Sequence, residues 1–310
     1  MPALNRGSIP DVVDTRPLWL SFLLWKQNPK SYTALFYVSK ESDAHVDIME
    51  FSGLGQFQAK PEGTAVVYDI PVQGRRRRVV HSTYALGTAA THEAVADAKF
   101  NVIDRQTEAL TRSQIDHEER LAWALIDASF TTGLSIDAVA IISTAHTMLK
   151  PRTVGQTLSN RLDPHIPVSY EGLEAASVMF LEQQSNEGHQ IGQTLKGARV
   201  VCKSSKVHIA NNIIDAKGRP GTTNTFDTNQ IAKMSLSVEA SPYLTSAEAW
   251  WLMGAKGSSG SPGSGFVFNN RESFRITNST DADTGDRKWR GWYRASVYNR
   301  EWRENIGSTP

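Results

Sequence analysis

The chain has 310 residues, and its 33 lysines and arginines nearly balance its 32 aspartates and glutamates, which leaves a formal net charge of +1. A chain so close to neutral has no general attraction for a phosphate backbone, which argues against a dedicated nucleic-acid-binding protein and favours protein partners. The single cysteine, Cys202, excludes an intramolecular disulfide framework, and the length suffices for one large domain or two modest ones.

Residues 1–45 mix turn-forming residues with isolated apolar clusters and show no sustained period, which predicts an extended arm that is ordered by contact. Residues 1–14 lack a basic segment followed by an apolar one, so we expect no secretion signal. The apolar run at 17–25 has nine residues, whereas a helix that crosses a bilayer needs about 20. We therefore expect no membrane partner, and we expect this run to pack on protein.

Residues 46–82 carry turn-forming glycines and a proline around an alternating stretch, which predicts a long β-hairpin or loop. The alternation over residues 66–73 has the period of a strand, and the four arginines Arg75, Arg76, Arg77 and Arg78 continue it. Because successive strand side chains point to opposite faces, Arg75 and Arg77 are expected on one face, and Arg76 and Arg78 on the other. Such a cationic ribbon with two faces suits a projecting hairpin between protein surfaces better than an element that binds in a groove of a nucleic acid.

Between Gly87 and Gly133 there is no glycine or proline, and apolar residues recur at helical spacing, as in Val95, Val102 and Ala109. This pattern predicts a long helix, and 30 of its residues would make a rod of about 45 Å. Residues 88–127 contain eight acidic and four basic residues, a surplus of four negative charges. The acidic face, which includes Glu108, Glu118 and Glu119, is a candidate counterpart for the arginine ribbon.

The second half of the chain mixes short helices and strands. Ser169 is a candidate N-cap for a helix, residues 199–202 predict a strand, and 205–215 a second helix for which Ser204 or Ser205 would be the cap. Residues 232–239 alternate as a half-buried strand, and residues 266–302 predict strands rich in aromatic residues and arginine, joined by the acidic turn at 281–286.

The sequence contains none of the common motifs of reactive sites. His92 and His117 lie beside glutamates, but neither has the spacing that would place two metal ligands on one helical face. There is no phosphate-binding loop and no strand-turn-helix serine, and Cys202 lies in an apolar run, as an inert buried thiol would. The tryptophans at 250, 251, 289, 292 and 302 suit core or interface anchors better than base or sugar stacking. We therefore expect no catalytic residue, no cofactor and no metal.

Three stretches resemble one known family. Residues 81–87 (HSTYALG) resemble its entry from hairpin into helix, residues 143–160 (STAHTMLKPRTVGQTLSN) its loop with His146, Gly155, Ser159 and Asn160, and residues 243–254 (YLTSAEAWWLMG) its Leu-Thr-x-x-x-Ala-Trp stretch. Together with the order of the elements, they make residues 46–305 similar to the major capsid protein of tailed bacteriophages, which has the Hong Kong ninety-seven type of fold.

The resemblance implies an α+β fold in five parts. These are an N-terminal arm at 1–45, an extended β-hairpin loop at 46–82, a peripheral domain with a spine helix at 83–168, an axial domain at 169–265, and strands returning to the peripheral domain at 266–310.

The resemblance also implies a function as a shell protein, not an enzyme. Copies would form hexamers and pentamers of an icosahedral head that encloses double-stranded DNA in the virion, after assembly in the host cytoplasm. The loop, about residues 51–78, would lie over a neighbouring subunit. The expected intersubunit contacts are Phe57, Lys60, Arg75, Arg76, Arg77, Arg78, Glu108, Glu118 and Glu119.

Further partners implied by the resemblance are a separate scaffolding protein, a portal, a decoration protein, and packaged DNA through non-specific contacts. Some relatives crosslink a loop lysine to an asparagine of a neighbour. Here Lys60 is the only lysine of the loop, with Asn269, Asn270 and Asn278 as candidate acceptors. No promoting glutamate is evident, so we expect no crosslink.

Three alternatives stay open on the sequence. An encapsulin-like compartment would share the fold but enclose cargo enzymes. A cytosolic enzyme with an unrecognised site would form a small oligomer. A nucleic-acid-binding protein would use the arginine run and would bind with a steep dependence on salt.

Overall fold

The computed structural model describes residues 30–97, 102–150, 156–222, 227–258 and 261–310. The predicted arm up to residue 29, including the apolar run at 17–25, lies outside the described residues, as does Gly155. Two four-stranded sheets, each with helices packed against it, make up most of the described chain.

The first sheet has the strand order β1-β12-β13-β4, built from Tyr37–Ser39, Phe266–Thr280, Arg287–Asn299 and Ser82–Ala90. The long antiparallel pair β12–β13 confirms the predicted C-terminal strands and the turn at 281–286. β1 belongs to this sheet and pairs in parallel with β12, so residues 37–39 are not an extended arm.

Helix formation between Gly87 and Gly133 is less continuous than predicted. Residues up to Ala90 form β4, which pairs along its whole length with β13. A short helix α1, His92–Ala96, follows, capped by Thr91, and the main helix α2 spans Val102–Asp127 before a 3-10 turn at Ala128–Phe130. At 26 residues, α2 is about 39 Å long, close to the predicted rod. The helix prediction is wrong for residues 88–90, because pairing with an available sheet edge outweighs local helix propensity.

The second sheet has the order β14-β9-β7-β8, from Asn305–Ser308, Trp250–Met253, Arg199–Lys203 and Ser237–Ser241. Helices α3 (Tyr170–Leu181) and α4 (Val207–Asp215) pack on it. Ser169 caps α3 as predicted, accepting a 3.1 Å hydrogen bond from the amide of Gly172. Ser204 and Ser205 do not cap α4 but lie in a 3-10 turn before it.

The strand predicted over residues 232–239 is wrong in its first half. Ile231–Met234 form a 3-10 turn, and Ser235 adopts a left-handed conformation with φ of 54°, so the extended chain starts only at Ser237. Three two-stranded sheets complete the described fold: β2–β3 (His45–Phe51 and Gln73–Val80), β5–β6 (His146–Thr147 and Thr157–Leu158) and β10–β11 (Lys256–Ser258 and Ser261–Gly263).

Two large hydrophobic cores meet at strand β9. Trp251 lies in the core between α2 and the first sheet, and its neighbour Trp250 lies in the core around α3, α4 and the second sheet. Both are fully buried, and each indole N–H has a 2.8 Å hydrogen bond, to the Ser129 hydroxyl for Trp251 and to the Ile166 carbonyl for Trp250. Trp250 and Trp251 are therefore core residues.

The C-terminal strand crosses from the first sheet to the second. β13 ends at Asn299, and β14 then pairs with β9, so residues 305–308 do not return to the sheet of the predicted peripheral domain. The buried amide of Asn160 holds this crossing. Its Oδ1 accepts from the amide of Ser143 at 2.8 Å, and its Nδ2 donates to the carbonyls of Ile141, Asn305 and Trp302 at 2.8, 2.9 and 3.2 Å.

We predict that Asn160→Ala lowers the free energy of unfolding by roughly 2–4 kcal/mol, because it leaves several buried backbone groups without partners. Urea denaturation of the subunit measures this, and Asn278→Ala, on the exposed part of β12, is the matched control. Equal stability of the two variants would contradict the role of Asn160.

We predict a pH-dependent effect at Glu304, which lies half-buried just before β14. Burial and the neighbouring Glu301 raise the pKa of Glu304 to about 7 from 4.5, so the folded state holds the proton more tightly than the unfolded state. This group therefore reduces stability progressively as pH rises from about 4.5 to 7. Glu304→Gln should be more stable than the parent at pH 8 by about 1–2 kcal/mol, with no difference near pH 4. Urea unfolding across this range tests it against the exposed Glu62→Gln, and parallel pH profiles for the parent and Glu304→Gln would refute it.

Candidate intersubunit interface

The arginine ribbon lies on β3, which pairs antiparallel with β2. Arg76 and Arg78 lie on the outer face with side chains 51% and 53% exposed, and both pair with Asp47 of β2, Arg78 through Nε at 2.9 Å. These two guanidinium groups hold the pKa of Asp47 well below its usual range. One carboxylate thus faces two cations, and the outer face keeps a positive charge.

Arg75 and Arg77 lie on the inner face and hold the hairpin to its own chain. Arg75 donates to the carbonyl of Thr147 at 3.3 Å and lies 3.5 Å from the Glu50 carboxylate. Arg77 donates to the carbonyl of Leu134, and burial lowers its pKa. The prediction of two opposite faces is confirmed, and only the outer pair is available to a neighbour.

The loop between β2 and β3 carries the most exposed apolar surface of the described chain. Phe57 is fully exposed at its tip, where Lys60 is exposed as well, and five large side chains follow between Val66 and Val72. Residues 66–72 are not a strand, so the prediction from their alternation is wrong for the single chain. Among the described strands none lies beside this pattern, and alternation without a partner leaves the backbone unpaired.

The base of this loop is held on two sides. Asp69 accepts from the amide of Gly55 at 2.7 Å and from Lys150 Nζ at 2.9 Å, and both contacts hold its pKa low. Across the base, His189 lies 3.1 Å from the carbonyl of Leu54, and the carboxylate of Glu187 accepts from the amide of Gly53. Residues 56–68 therefore project beyond a fixed base.

Glu118 and Glu119 are not on an acidic surface, contrary to the prediction. They are 1% and 6% exposed and bind residues 30–32 of the same chain. Glu118 pairs with Lys30 and accepts from the Tyr32 hydroxyl at 3.1 Å; Glu119 accepts from Ser31 Oγ at 2.7 Å and Trp123 Nε1 at 2.9 Å. Burial and these carboxylates raise the pKa of Tyr32 above its usual range.

The spacing of α2 carries a signal for this burial that the charge count missed. Leu110, Gln114, Glu118, Ala122 and Ile126 follow one another at intervals of four and are all buried. Glu118 therefore continues a core stripe of the helix. Glu108 remains on the surface, 65% exposed, and lies 3.8 Å from Arg112 in the next turn.

The described residues hold no group of three or more histidine, cysteine, aspartate or glutamate side chains that could bind a metal ion. No helix among them is both long and apolar enough to span a bilayer. His117 contacts the Tyr293 hydroxyl, and His146 is buried, 2.7 Å from Asp137 and stacked on Trp302. Cys202 is buried, which raises its thiol pKa to about 11, well above the range of a reactive thiolate. These residues have packing roles.

The candidate crosslink acceptors differ in accessibility. Asn269 is fully buried, and its Oδ1 accepts from the amide of Glu41 at 3.2 Å. Asn270 is half-buried and Asn278 is exposed on β12. Only Asn278 is open to a lysine of another chain.

Comparison with known proteins gives one family and a shared fold. Residues 76–304 match the family model described as phage capsid protein. A solved structure from Mycobacterium phage Patience has a TM-score of 0.63 at 10% identity, covering 99% of this chain and 92% of that chain. No curated protein sequence matches the chain.

Two further solved structures are similar over almost their whole length. The capsid of the cyanophage P-SCSP1u has a TM-score of 0.57 at 8% identity, covering 95% of this chain and 98% of that chain. The capsid of a native GTA particle has a TM-score of 0.56 at 12% identity, covering 94% and 98%. These matches confirm the predicted α+β capsid fold. Apart from residues 37–39, which pair in the first sheet, and residues 305–308, which pair in the second, the five domain limits remain a prediction.

We predict that the two faces of the arginine ribbon respond differently to truncation. Arg77→Ala should lower the free energy of unfolding by about 1–3 kcal/mol, because it removes a half-buried hydrogen bond to Leu134. Arg76→Ala, the matched control on the exposed face, should change it by less than about 1 kcal/mol. Urea denaturation of both variants measures the difference, and equal losses would contradict the assignment of faces.

Proposed function

The chain belongs to the phage capsid protein family, and on that premise we propose that it forms the hexamers and pentamers of an icosahedral head. This head encloses the double-stranded DNA genome of a tailed phage. The chain is a major capsid protein, a structural component of the virion shell rather than an enzyme.

One observation carries this proposal: the chain exposes an apolar loop that none of the residues described by the structure covers. Phe57, Val67 and Tyr68 are each at least 70% exposed beyond a base fixed by Lys150 and Glu187, and Ile70 is 75% exposed at that base. An apolar surface of this kind is typical of a protein interaction site. A second copy is the partner that a shell protein requires, so we propose that the loop lies over a neighbouring subunit.

Charge supports the same arrangement. The outer arginines Arg76 and Arg78 share a single carboxylate, and we propose that they bind acidic side chains of a neighbour, with Glu108 as an exposed candidate. Each exposed pair contributes only about 0–1 kcal/mol, so the shell relies on many repeats together with apolar burial. Arg75, Arg77, Glu118 and Glu119 are satisfied within their own chain, and we leave them out of the proposed interface.

The remaining partners follow from the family. We propose a separate scaffolding protein, a portal and a decoration protein, and assembly in the host cytoplasm. The net charge of +1 supports only weak, sequence-independent contact with packaged DNA. We propose no crosslink between Lys60 and a neighbouring asparagine. The family match favours a phage head over an encapsulin-like compartment.

We predict that a charge at the loop tip blocks shells. The double variant Phe57→Asp with Tyr68→Asp should stay folded and fail to assemble, because the carboxylates would be buried at an apolar contact. Negative-stain microscopy and sedimentation of the expressed protein measure assembly, and circular dichroism checks the fold. The control is Val178→Asp with Leu181→Asp, which charges two side chains about half exposed on α3. Normal shells from the tip variant would refute the proposed role of the loop.

We predict the same outcome, with salt dependence, for the outer arginines. Arg76→Glu with Arg78→Glu should assemble poorly. Both side chains are exposed, so the repulsion that they would introduce beside Asp47 should lower the unfolding midpoint by no more than a few degrees. Lys196→Glu with Lys233→Glu makes an equal charge change at exposed positions elsewhere. Sedimentation at low and high salt separates repulsion from misfolding, since repulsion is screened. Wild-type assembly by the arginine variant would exclude these residues from the interface.

A further inference from the structure

The first sheet has one face covered by helix α2 and an opposite face that is partly open. Trp289 and Tyr293 of β13 lie in the cores against α2, so the residues that alternate with them point to the opposite face. At one end of that face, Ile48 of the β2–β3 hairpin packs on Tyr298. At the other end, beside the turn at 281–286, all three strands present exposed side chains. We call this end the open face.

The open face is basic. Cross-strand partners of an antiparallel pair lie on the same face, which assigns the side chains of β12 and β4 from those of β13. Four cations and one carboxylate share the open face, a surplus of three positive charges: Arg275, Lys288, Arg290, Arg294 and Glu272. Beside them, β4 contributes only small residues, which leave the surface accessible: Thr83, Ala85, Gly87 and Ala89.

The arginines of the open face are incompletely neutralised within their own chain. Arg290 is exposed and donates to the hydroxyl of Ser279 at 2.8 Å rather than to a carboxylate. Arg275, with its side chain 56% exposed, lies 3.8 Å from the carboxylate of Glu272, which also lies 3.5 Å from Arg294. One carboxylate therefore serves two arginines, and the face keeps a positive charge.

The turn that joins β12 to β13 carries the opposite charge. Residues 281–286 (DADTGD) contain three aspartates and no basic residue. Asp281 pairs with Lys288, and this contact, with the backbone amide of Asp283 at 3.1 Å, holds its pKa low. Asp283 is exposed and Asp286 is half-buried. The strand pair therefore has an anionic tip beside a cationic face.

The turn cannot fold back onto the arginines of its own chain. β12 and β13 are paired as far as Thr280 and Arg287, which fixes the turn at the end of the strands. Arg290 lies three residues beyond Arg287, about 10 Å along the strand, and Arg275, on the neighbouring strand, lies about 17 Å along it. Carboxylates of this turn can therefore reach those arginines only in another copy of the chain.

We infer that the open face binds the acidic turn of a second copy. The inference rests on the proposed function, which places many copies side by side. The surplus of three positive charges on the face matches the three aspartates of the turn, and such complementarity fixes orientation and register between partners. Each copy carries both surfaces, so each gives one turn and receives another. A head-to-tail contact of this kind closes into a ring when the rotation between copies closes.

A nucleic acid is the other partner that a basic surface attracts. The position of the turn argues against it here. A phosphate backbone laid along the strands would also approach the three aspartates at 281–286, which repel it. The turn of another copy is narrow and meets no such repulsion when it lies across the strands.

Disulfide trapping in assembled particles tests the contact. Ala282→Cys, in the turn, is combined with Thr277→Cys or Ala85→Cys on the open face, and all three positions are exposed. Mild oxidation is followed by a denaturing gel without reductant. The native Cys202 stays, because it is fully buried with a raised thiol pKa. The matched control combines Ala282→Cys with Ile209→Cys, at an apolar residue 45% exposed on α4.

The expected result is bands at two and more times the chain mass for at least one pair on the open face, and for none of the control pair. Normal particles that give only the single-chain band would overturn the inference and leave the proposed function intact. Absence of particles from the parent chain would overturn both. A disulfide within one chain, seen as faster migration, would show that the turn folds back and would also overturn the inference.

Exchange of the charges gives a second measurement. Asp283→Arg with Asp286→Arg, and separately Arg275→Asp with Arg290→Asp, should each lower the assembled fraction by about tenfold or more, because like charges would meet across the contact. The variant with all four changes should regain the assembled fraction of the parent, since opposite charges face each other again. Sedimentation measures assembly, and circular dichroism checks that each variant is folded.

Two outcomes of the exchange would overturn the inference. The first is a variant with all four changes that assembles no better than the two double variants. The second is normal shells from Arg275→Asp with Arg290→Asp that retain less packaged DNA than the parent, because this result would assign the open face to nucleic acid.

Discussion

The fold depends on a four-residue strand that is buried on both faces. β9 places Trp250 in one core and Trp251 in the other, with both indole N–H groups satisfied. A slip by one residue would exchange the contents of the two cores and break both hydrogen bonds, so the register of β9 is strongly fixed. β14 pairs with this strand, and Asn160 ties the loop before α3 to the chain entering β14. The β2–β3 hairpin, on which the four arginines lie, is attached to this framework by the hydrogen bond from Arg77 to Leu134.

Local patterns predicted the elements whose partners are close in sequence. α3 with its Ser169 cap, the β12–β13 pair and its acidic turn, and the opposite faces of Arg75 and Arg76 all follow from spacing along a few residues. The start of α2 could not be predicted in this way. Residues 88–90 lack helix breakers, and β13, with which they pair, lies about 200 residues later in the chain. That partner decides their conformation.

Two further differences have the same origin. The alternation of residues 66–72 indicates a strand, but a strand needs a neighbour, and the described part of the chain offers none there. Glu118 and Glu119 read as part of a solvated acidic face, yet residues 30–32 cover them with a cation, two hydroxyl groups and a backbone amide. Charge counts do not show which helical face a distant segment will cover. The apolar residues Leu110, Ala122 and Ile126, which lie at multiples of four from Glu118, do indicate that face.

The base of the projecting loop touches both halves of the molecule. Arg77 holds the hairpin to Leu134, beside the first core, while Gly53 and Leu54 contact Glu187 and His189 in the connection that follows α3. If one half of the molecule rotated slightly against the other, the loop would rotate about its base, and Phe57 at its tip would move farthest. A small rotation inside one subunit would thus displace the part of the loop that we propose contacts a neighbour.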